Sequence, residues 1–356
     1  MRNILSMAVL AAIQLLSGCS HAPTEPAEQT TATAGEVLSD FATYVANPNY
    51  QDIESQAGQL EQAVQALAAN PTDPNLQAAQ GAWKKTRQPW EQCEGFLFGP
   101  VEDFNYDPTV DSWPVNRVDL DSLLASANPL TSDAVDALPT SLKGFHPLEY
   151  ILFGTGGSRK ASELTEREKQ YMVSLTQTLR ATITALRQSW DPSQPGNFSR
   201  ELASAGNGSQ RFATKRDAFL AIVTSMAGIC DEVANGKMQD PLAAQDSSLE
   251  ESQFSHNSTT DFKNNIIGVL HAYTGTYSVP GHGISDLVAA KDISLDNRIR
   301  SQIQGAINSF GNISANYGAA VYTQKIQIQN TQNAINTLRE TLEAELRDFV
   351  QTNIGD

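Results

Sequence analysis

Apolar residues three and four apart, with no stretch of clean two-residue alternation, constrain this chain to helices. Ile53, Ala57, Leu60, Val64 and Leu67 fall on one helical face. Tyr171, Leu175, Leu179, Leu186 and Trp190 make a second stripe, behind a capping box at Thr165-x-x-Glu168. Asp73-Pro74 predicts another helix start, and the helix it opens carries Trp83, Arg87, Trp90 and Glu94. Val321, Ile328, Ile335, Leu338, Leu342, Leu346 and Phe349 form a long stripe near the C-terminus. The expected fold class is all-α, with long helices in bundle packing.

The ends of the chain read differently. Arg2, the apolar run Ile4 to Leu16 and the sequence Leu16-Ser17-Gly18-Cys19 predict a bacterial lipoprotein leader over residues 1–19, with Cys19 lipidated after cleavage. Ser20 rather than Asp after the cysteine favours the outer membrane, so the expected location is the periplasm, by lipid anchor only. Residues 20–35 hold no large apolar side chain and are expected to be a flexible tether. No other apolar stretch approaches a membrane span.

Charge limits the partners. Of 24 basic residues, one is Arg2 of the leader; the remaining 23 against 40 acidic residues give −17. Such a surface repels phosphate backbones, so nucleic acid is not an expected partner, whereas cations are attracted. Cys93 and Cys230 are either one periplasmic disulfide or two buried thiols.

Two stretches break the helical texture. Residues 191–210, rich in Gly, Pro, Ser and Asn, predict a boundary between helical bundles at 36–195 and 196–356. Residues 99–128 mix prolines, acids and aromatics, a composition expected of a long ordered loop with a function. Aromatic–glycine endings at 96–100, 151–157 and 271–277 are a faint internal echo.

The densest chemistry lies in KGFHPLEYILFG, residues 143–154. A residue before proline avoids the α region. His146 is therefore expected at the N-cap, Pro147 at the first helical position and Glu149 at the third, as in a capping box. The same geometry brings an imidazole and a carboxylate together, a good pair for iron or zinc. Two ligands are too few, so further carboxylates are required. Neither HExxH nor HxxEH is present, since position 150 is Tyr150, so zinc-peptidase chemistry has no motif to stand on.

The segment Gly144-x-His146-x-x-Glu149 stands with WKKTRQPWEQCEGFLFGP (83–100), DSWPVN (111–116), ESQFSHNSTTDFKNNIIGV (251–269) and GHGISDLV (281–288). In that order they resemble the imelysin-like proteins, which include iron-regulated bacterial lipoproteins, over roughly residues 37 to 345. The resemblance implies two four-helix-bundle-like domains, with a site at their interface around the GxHxxE signature; the internal echo and the central linker suggest that the two are related by duplication. It also implies iron acquisition, in a family nominally classed with insulin-cleaving metallopeptidases.

The expected function is thus non-catalytic binding of iron, or of a ferric chelate, by a lipid-anchored periplasmic protein, with iron-uptake membrane proteins as partners. Zinc or another divalent metal is the alternative cofactor. A metal-dependent peptidase and an interaction scaffold with a vestigial site are the competing functions. The expected metal ligands are His146 and Glu149, with Glu94, Glu251 and Asp261 to complete them, and Arg87 and Trp90 as neighbours. The plainer roles are that Glu94 pairs with Arg87 and that Asp261 caps a helix. His256, His271 and His282 carry less weight: a core histidine for His271, a tight turn for His282.

Overall fold

A computed structural model describes residues 32–355. The expected leader, the expected lipidation site Cys19 and most of the expected tether lie outside the described residues. Among those described, helix dominates, and the only β feature is an isolated bridge between Thr276 and Pro280. No described helix is long and apolar enough to cross a membrane.

The helices that position the site are α1 (Asn47–Ala69), α2 (Asp73–Cys93), α3 (Tyr106–Asp111), α4 (Phe145–Phe153) and α5 (Glu166–Trp190) in the first part of the chain. Later come α6 (Lys215–Asp231), α7 (Ser258–Thr274), α8 (Ile293–Ser309) and α9 (Lys325–Thr341). α1 packs on α2 and α5, and α4 lies against α2 and α5. α6, α7, α8 and α9 pack around one another in the same way, and α7 also packs on α2. The apolar stripes read from the sequence line these contacts: Ile53, Leu60, Leu175, Leu186, Ile328 and Leu338 are all fully buried. The Thr165–Glu168 capping box opens α5 as expected.

α2 and α7 meet at unusually close range because two glycines face each other. A Cβ on Gly268 would lie 2.1 Å from the Gln92 carbonyl oxygen, and one on Gly95 would lie 2.7 Å from the Gly268 carbonyl carbon. That approach lets polar side chains bridge the pair. Gln92 Nε2 donates to Asn264 Oδ1 at 2.8 Å, and Asn265 Nδ2 donates to the Glu91 carbonyl at 3.1 Å.

The irregular stretch after residue 99 is not a loop throughout. It folds into short helices, Pro100–Asp103, α3 and Arg117–Ala125, and α3 ends on buried Asp111. Cys93 and Cys230 are both free, buried thiols, which resolves that alternative against a disulfide.

His271 is the histidine that the fold treats as structure. Its ring sits edge-on to Tyr277 at 5.1 Å, its Nδ1 has no hydrogen-bond partner, and burial pulls its pKa down to about 4. The unfolded chain binds that proton first as pH falls, so the stability from neutral His271 is complete above about pH 6.5 and is lost towards pH 4. We expect His271→Phe to flatten the pH dependence of urea-unfolding stability between pH 6.5 and 5, an effect of about 2 kcal/mol across that window. An unchanged slope would remove His271 from the acid sensitivity of the fold.

Candidate metal centre

The GxHxxE segment is built from its glycine. Gly144 is the N-cap of α4, with φ +78° and ψ −150°. A Cβ there would lie 2.0 Å from the Val110 carbonyl oxygen, so α3 and the start of α4 touch through a bare backbone. The helix then begins at Phe145, two residues earlier than the proline predicts, so His146 is inside the first turn and not at its cap. Tertiary packing outweighs the local preference of a pre-proline residue. Phe145 packs at 6.2 Å from Trp83 and 6.1 Å from Trp90, and Trp83 Nε1 donates to the Phe145 carbonyl at 3.1 Å. Pro147 occupies a first-turn position whose N–H would have no helical partner.

Glu149 consequently does not cap its own helix. Its Oε1 accepts from the backbone N–H groups of Phe254 and Ser255, at 3.1 and 2.8 Å. Its Oε2 lies 3.0 Å from His146 Nδ1. Both oxygens are engaged, and the carboxylate orients the imidazole so that Nε2 faces Asp111 Oδ1 at 3.0 Å. Burial pulls the His146 pKa down, but the bonds to Asp111 and Glu149 outweigh it and bring it to about 9.

Around this pair lies a buried charge cluster. Arg87, with no exposed surface, contacts Glu91 and Asp111 closely, Glu251 at 3.3 Å and Asp261 at 3.8 Å. Its guanidinium also lies 5.0 Å from the Phe145 ring centre. Trp90 Nε1 donates to Asp111 Oδ2 at 2.6 Å. Lys237, also buried, donates to Glu94 Oε2 at 2.8 Å and to Glu251 Oε1 at 3.0 Å. Asn265 Nδ2 donates to Glu91 Oε2 and Glu94 Oε2, both at 2.8 Å. Asp261 accepts from Ser252 Oγ at 2.6 Å and Asn257 Nδ2 at 2.7 Å.

The expected ligands His146, Glu149, Glu94, Glu251 and Asp261 and the expected neighbours Arg87 and Trp90 are therefore in or beside one cluster, with roles redistributed. Glu94 pairs with Lys237 instead of Arg87. Asp261 accepts from the N-cap residue Asn257 and faces Arg87. Sequence reading missed Glu91, Asp111 and Lys237. Glu91 lies four residues after Arg87, a helical pairing distance that was legible. Asp111 sat inside a segment already noted but not weighed. Lys237 had no local signal. It enters the cluster because a π-helical segment, Glu232–Lys237, continues α6 and turns its last residue inward.

His282 stands apart from the cluster. It is exposed, and its backbone N–H and Nδ1 both meet Asp40 Oδ2, at 2.8 and 2.7 Å, so it closes a turn against a carboxylate.

The electrostatics favour an added cation. Glu91, Glu94, Asp111, Glu149, Glu251 and Asp261 outnumber Arg87, Lys237 and His146, and all are buried. Burial pushes Glu91 and Glu94 well above the usual carboxylate range against the pull of Arg87 and Lys237, and neighbouring carboxylates add to it. Burial likewise brings Asp261 to about 6 despite Arg87. Asp111 is the exception: burial opposes its ionisation, but Arg87 and then His146 hold it well below its ordinary value.

Donor atoms of Asp111, His146 and Glu251 lie within 4.8 Å of one another, as do those of Glu91, Glu94, Asp111 and Glu251. Among the described residues, Glu251 Oε2 is buried with no hydrogen-bond partner, and His146 Nε2 meets only Asp111, at 3.0 Å. One imidazole and two carboxylates suit iron, zinc or a similar divalent ion. A metal taking Nε2 would displace the proton that His146 otherwise holds.

The comparisons with known proteins agree with this architecture. The chain is 31% identical over 333 residues to iron-regulated protein A of Synechococcus elongatus, covering 89% of this chain and 86% of that protein. A crystal structure of a putative iron-regulated protein A precursor from Parabacteroides distasonis superposes with a TM-score of 0.81 at 24% identity, covering 92% of this chain and 97% of the other. That of an imelysin-like protein from Psychrobacter arcticum gives 0.72 at 14% identity, covering 92% and 99%. The sequence profile of the family described as imelysin matches residues 46–344, and this chain belongs to the imelysin family.

Proposed function

We propose that the protein binds iron without catalysing a reaction, at Asp111, His146 and Glu251. The observation that carries this reading is the convergence of His146 Nε2, an Asp111 oxygen and a Glu251 carboxylate, whose Oε2 is buried without a hydrogen-bond partner, in a cluster where carboxylates outnumber cations. The iron-regulated relative supports iron over zinc. Glu149 is then the residue that aims the imidazole, and Glu91, Glu94 and Asp261 balance Arg87 and Lys237. Proteolysis is disfavoured because a peptidase needs a free general base, and both oxygens of Glu149 are already bonded. The lipid anchor at Cys19 would hold the protein on the periplasmic face of the outer membrane, where it would pass iron to membrane uptake proteins.

Calorimetric titration of the apo-protein with ferrous and zinc ions tests the site. His146→Ala is expected to abolish tight binding. Glu149→Gln is expected to weaken it by about 10–100-fold, the usual effect of removing a residue that orients a metal-binding histidine. Wild-type affinity in both variants would sink the assignment.

A further inference from the structure

The inner donor set is buried, so any ion must reach it by a path. A cleft of about 590 Å³ beside α6 is walled by Leu220 and Ile229 and carries Glu94, Glu102 and Glu232. Glu102 and Glu232 are exposed, whereas Glu94 is only 4% exposed. Both hydrogen bonds that Glu94 accepts among the described residues end on Oε2, which leaves Oε1 for the cleft. Glu94 also belongs to the four-carboxylate group with Glu91, Asp111 and Glu251. It thus joins the cleft to the inner ligands. Lys237, bonded to both Glu94 and Glu251, stands across that passage.

We propose that this cleft is the route by which an aquated metal cation reaches the inner ligands, with Glu94 as the transfer ligand and Lys237 as the counter-cation it displaces. The inference rests on the iron-binding reading and narrows its substrate. An acidic cleft with apolar walls concentrates cations and repels anions. The species taken up is therefore the free hydrated ion, not an anionic ferric chelate. As the metal arrives, the Lys237 ammonium gives up its contacts to Glu94 and Glu251, and the ion takes over the charge balance.

Plugging the cleft tests the route. Thr224 and Gly228 line it from the exposed face of α6, and a Cβ on Gly228 would meet nothing within 4 Å. Ferrous ion would be mixed anaerobically with the protein, and loading followed by quenching of Trp90, which donates to Asp111, and of Trp113, whose ring lies 5.3 Å from Lys237. Thr224→Phe/Gly228→Phe is expected to load at least tenfold more slowly, with equilibrium affinity by dialysis within threefold of wild type and an unchanged circular dichroism spectrum. Glu102→Gln should lower the loading rate and flatten its salt dependence. Ferric citrate should load more slowly than ferrous ion in every variant. A plugged variant that loads at the wild-type rate overturns the route and leaves the binding site standing. A wild-type protein that takes up no ferrous ion overturns both.

Discussion

Arg87→Met is expected to destabilise the apo-protein by about 3–5 kcal/mol, seen as a lower urea midpoint with an unchanged slope. Arg87 faces Glu91, Asp111, Glu251 and Asp261 with no solvent contact. Methionine replaces most of its volume but none of its charge, so four carboxylates stay buried with Lys237 and His146 as the only cations near them among the described residues. They can respond only by taking up protons or drawing in water, and both cost free energy. Arg87→Lys should recover part of the loss and no more. An ammonium is a point charge that cannot reach carboxylates on several sides at once, nor stack on Phe145 as the planar guanidinium does. A midpoint within about 1 kcal/mol of wild type for Arg87→Met would show that the carboxylates do not depend on this cation.

Gly144→Ala is expected to cost at least about 3 kcal/mol and to abolish metal binding together with it. Its backbone conformation is open essentially to glycine alone, and its Cβ would overlap the Val110 carbonyl. The overlap cannot be relieved by turning a side chain, because the obstacle is backbone. α3 and α4 must separate, and Asp111 follows Val110 directly while His146 lies two residues after Gly144. The 3.0 Å approach of His146 Nε2 to Asp111 would be the first geometry lost. Serine and alanine should behave alike here, since it is the Cβ that does the damage. Unfolding and calorimetry on the same sample check both effects. A stable Gly144→Ala protein with wild-type affinity would separate the glycine of the signature from the site.

Much of the fold was legible because helix formation and burial leave periodic marks. The stripes on α1, α5 and α9 predict which faces are inside, and those side chains are buried. The site was legible in part. His146, Glu149, Glu94, Glu251 and Asp261 were all pointed to and all lie in one cluster, but their pairings were not foreseen. Pairing depends on which helices approach, and that approach is set by Gly95 and Gly268, which look like ordinary helical glycines in the sequence. The displacement of His146 into the helix has the same origin. Pre-proline preference is a local term, and the packing of Phe145 between two tryptophans outweighs it.

By itself, the sequence determined an all-α chain, its buried stripes and a His146–Glu149 pair at one helix start, because periodicity and spacing act locally along the chain. Only the tertiary structure decided that carboxylates gather around that pair, that Arg87 and Lys237 stand among them and that Glu149 holds the histidine instead of capping its helix. It alone selected Asp111 and Glu251 as the carboxylates facing the imidazole. Those relations join residues far apart in the chain, and they arise only where glycine lets two backbones come within contact distance.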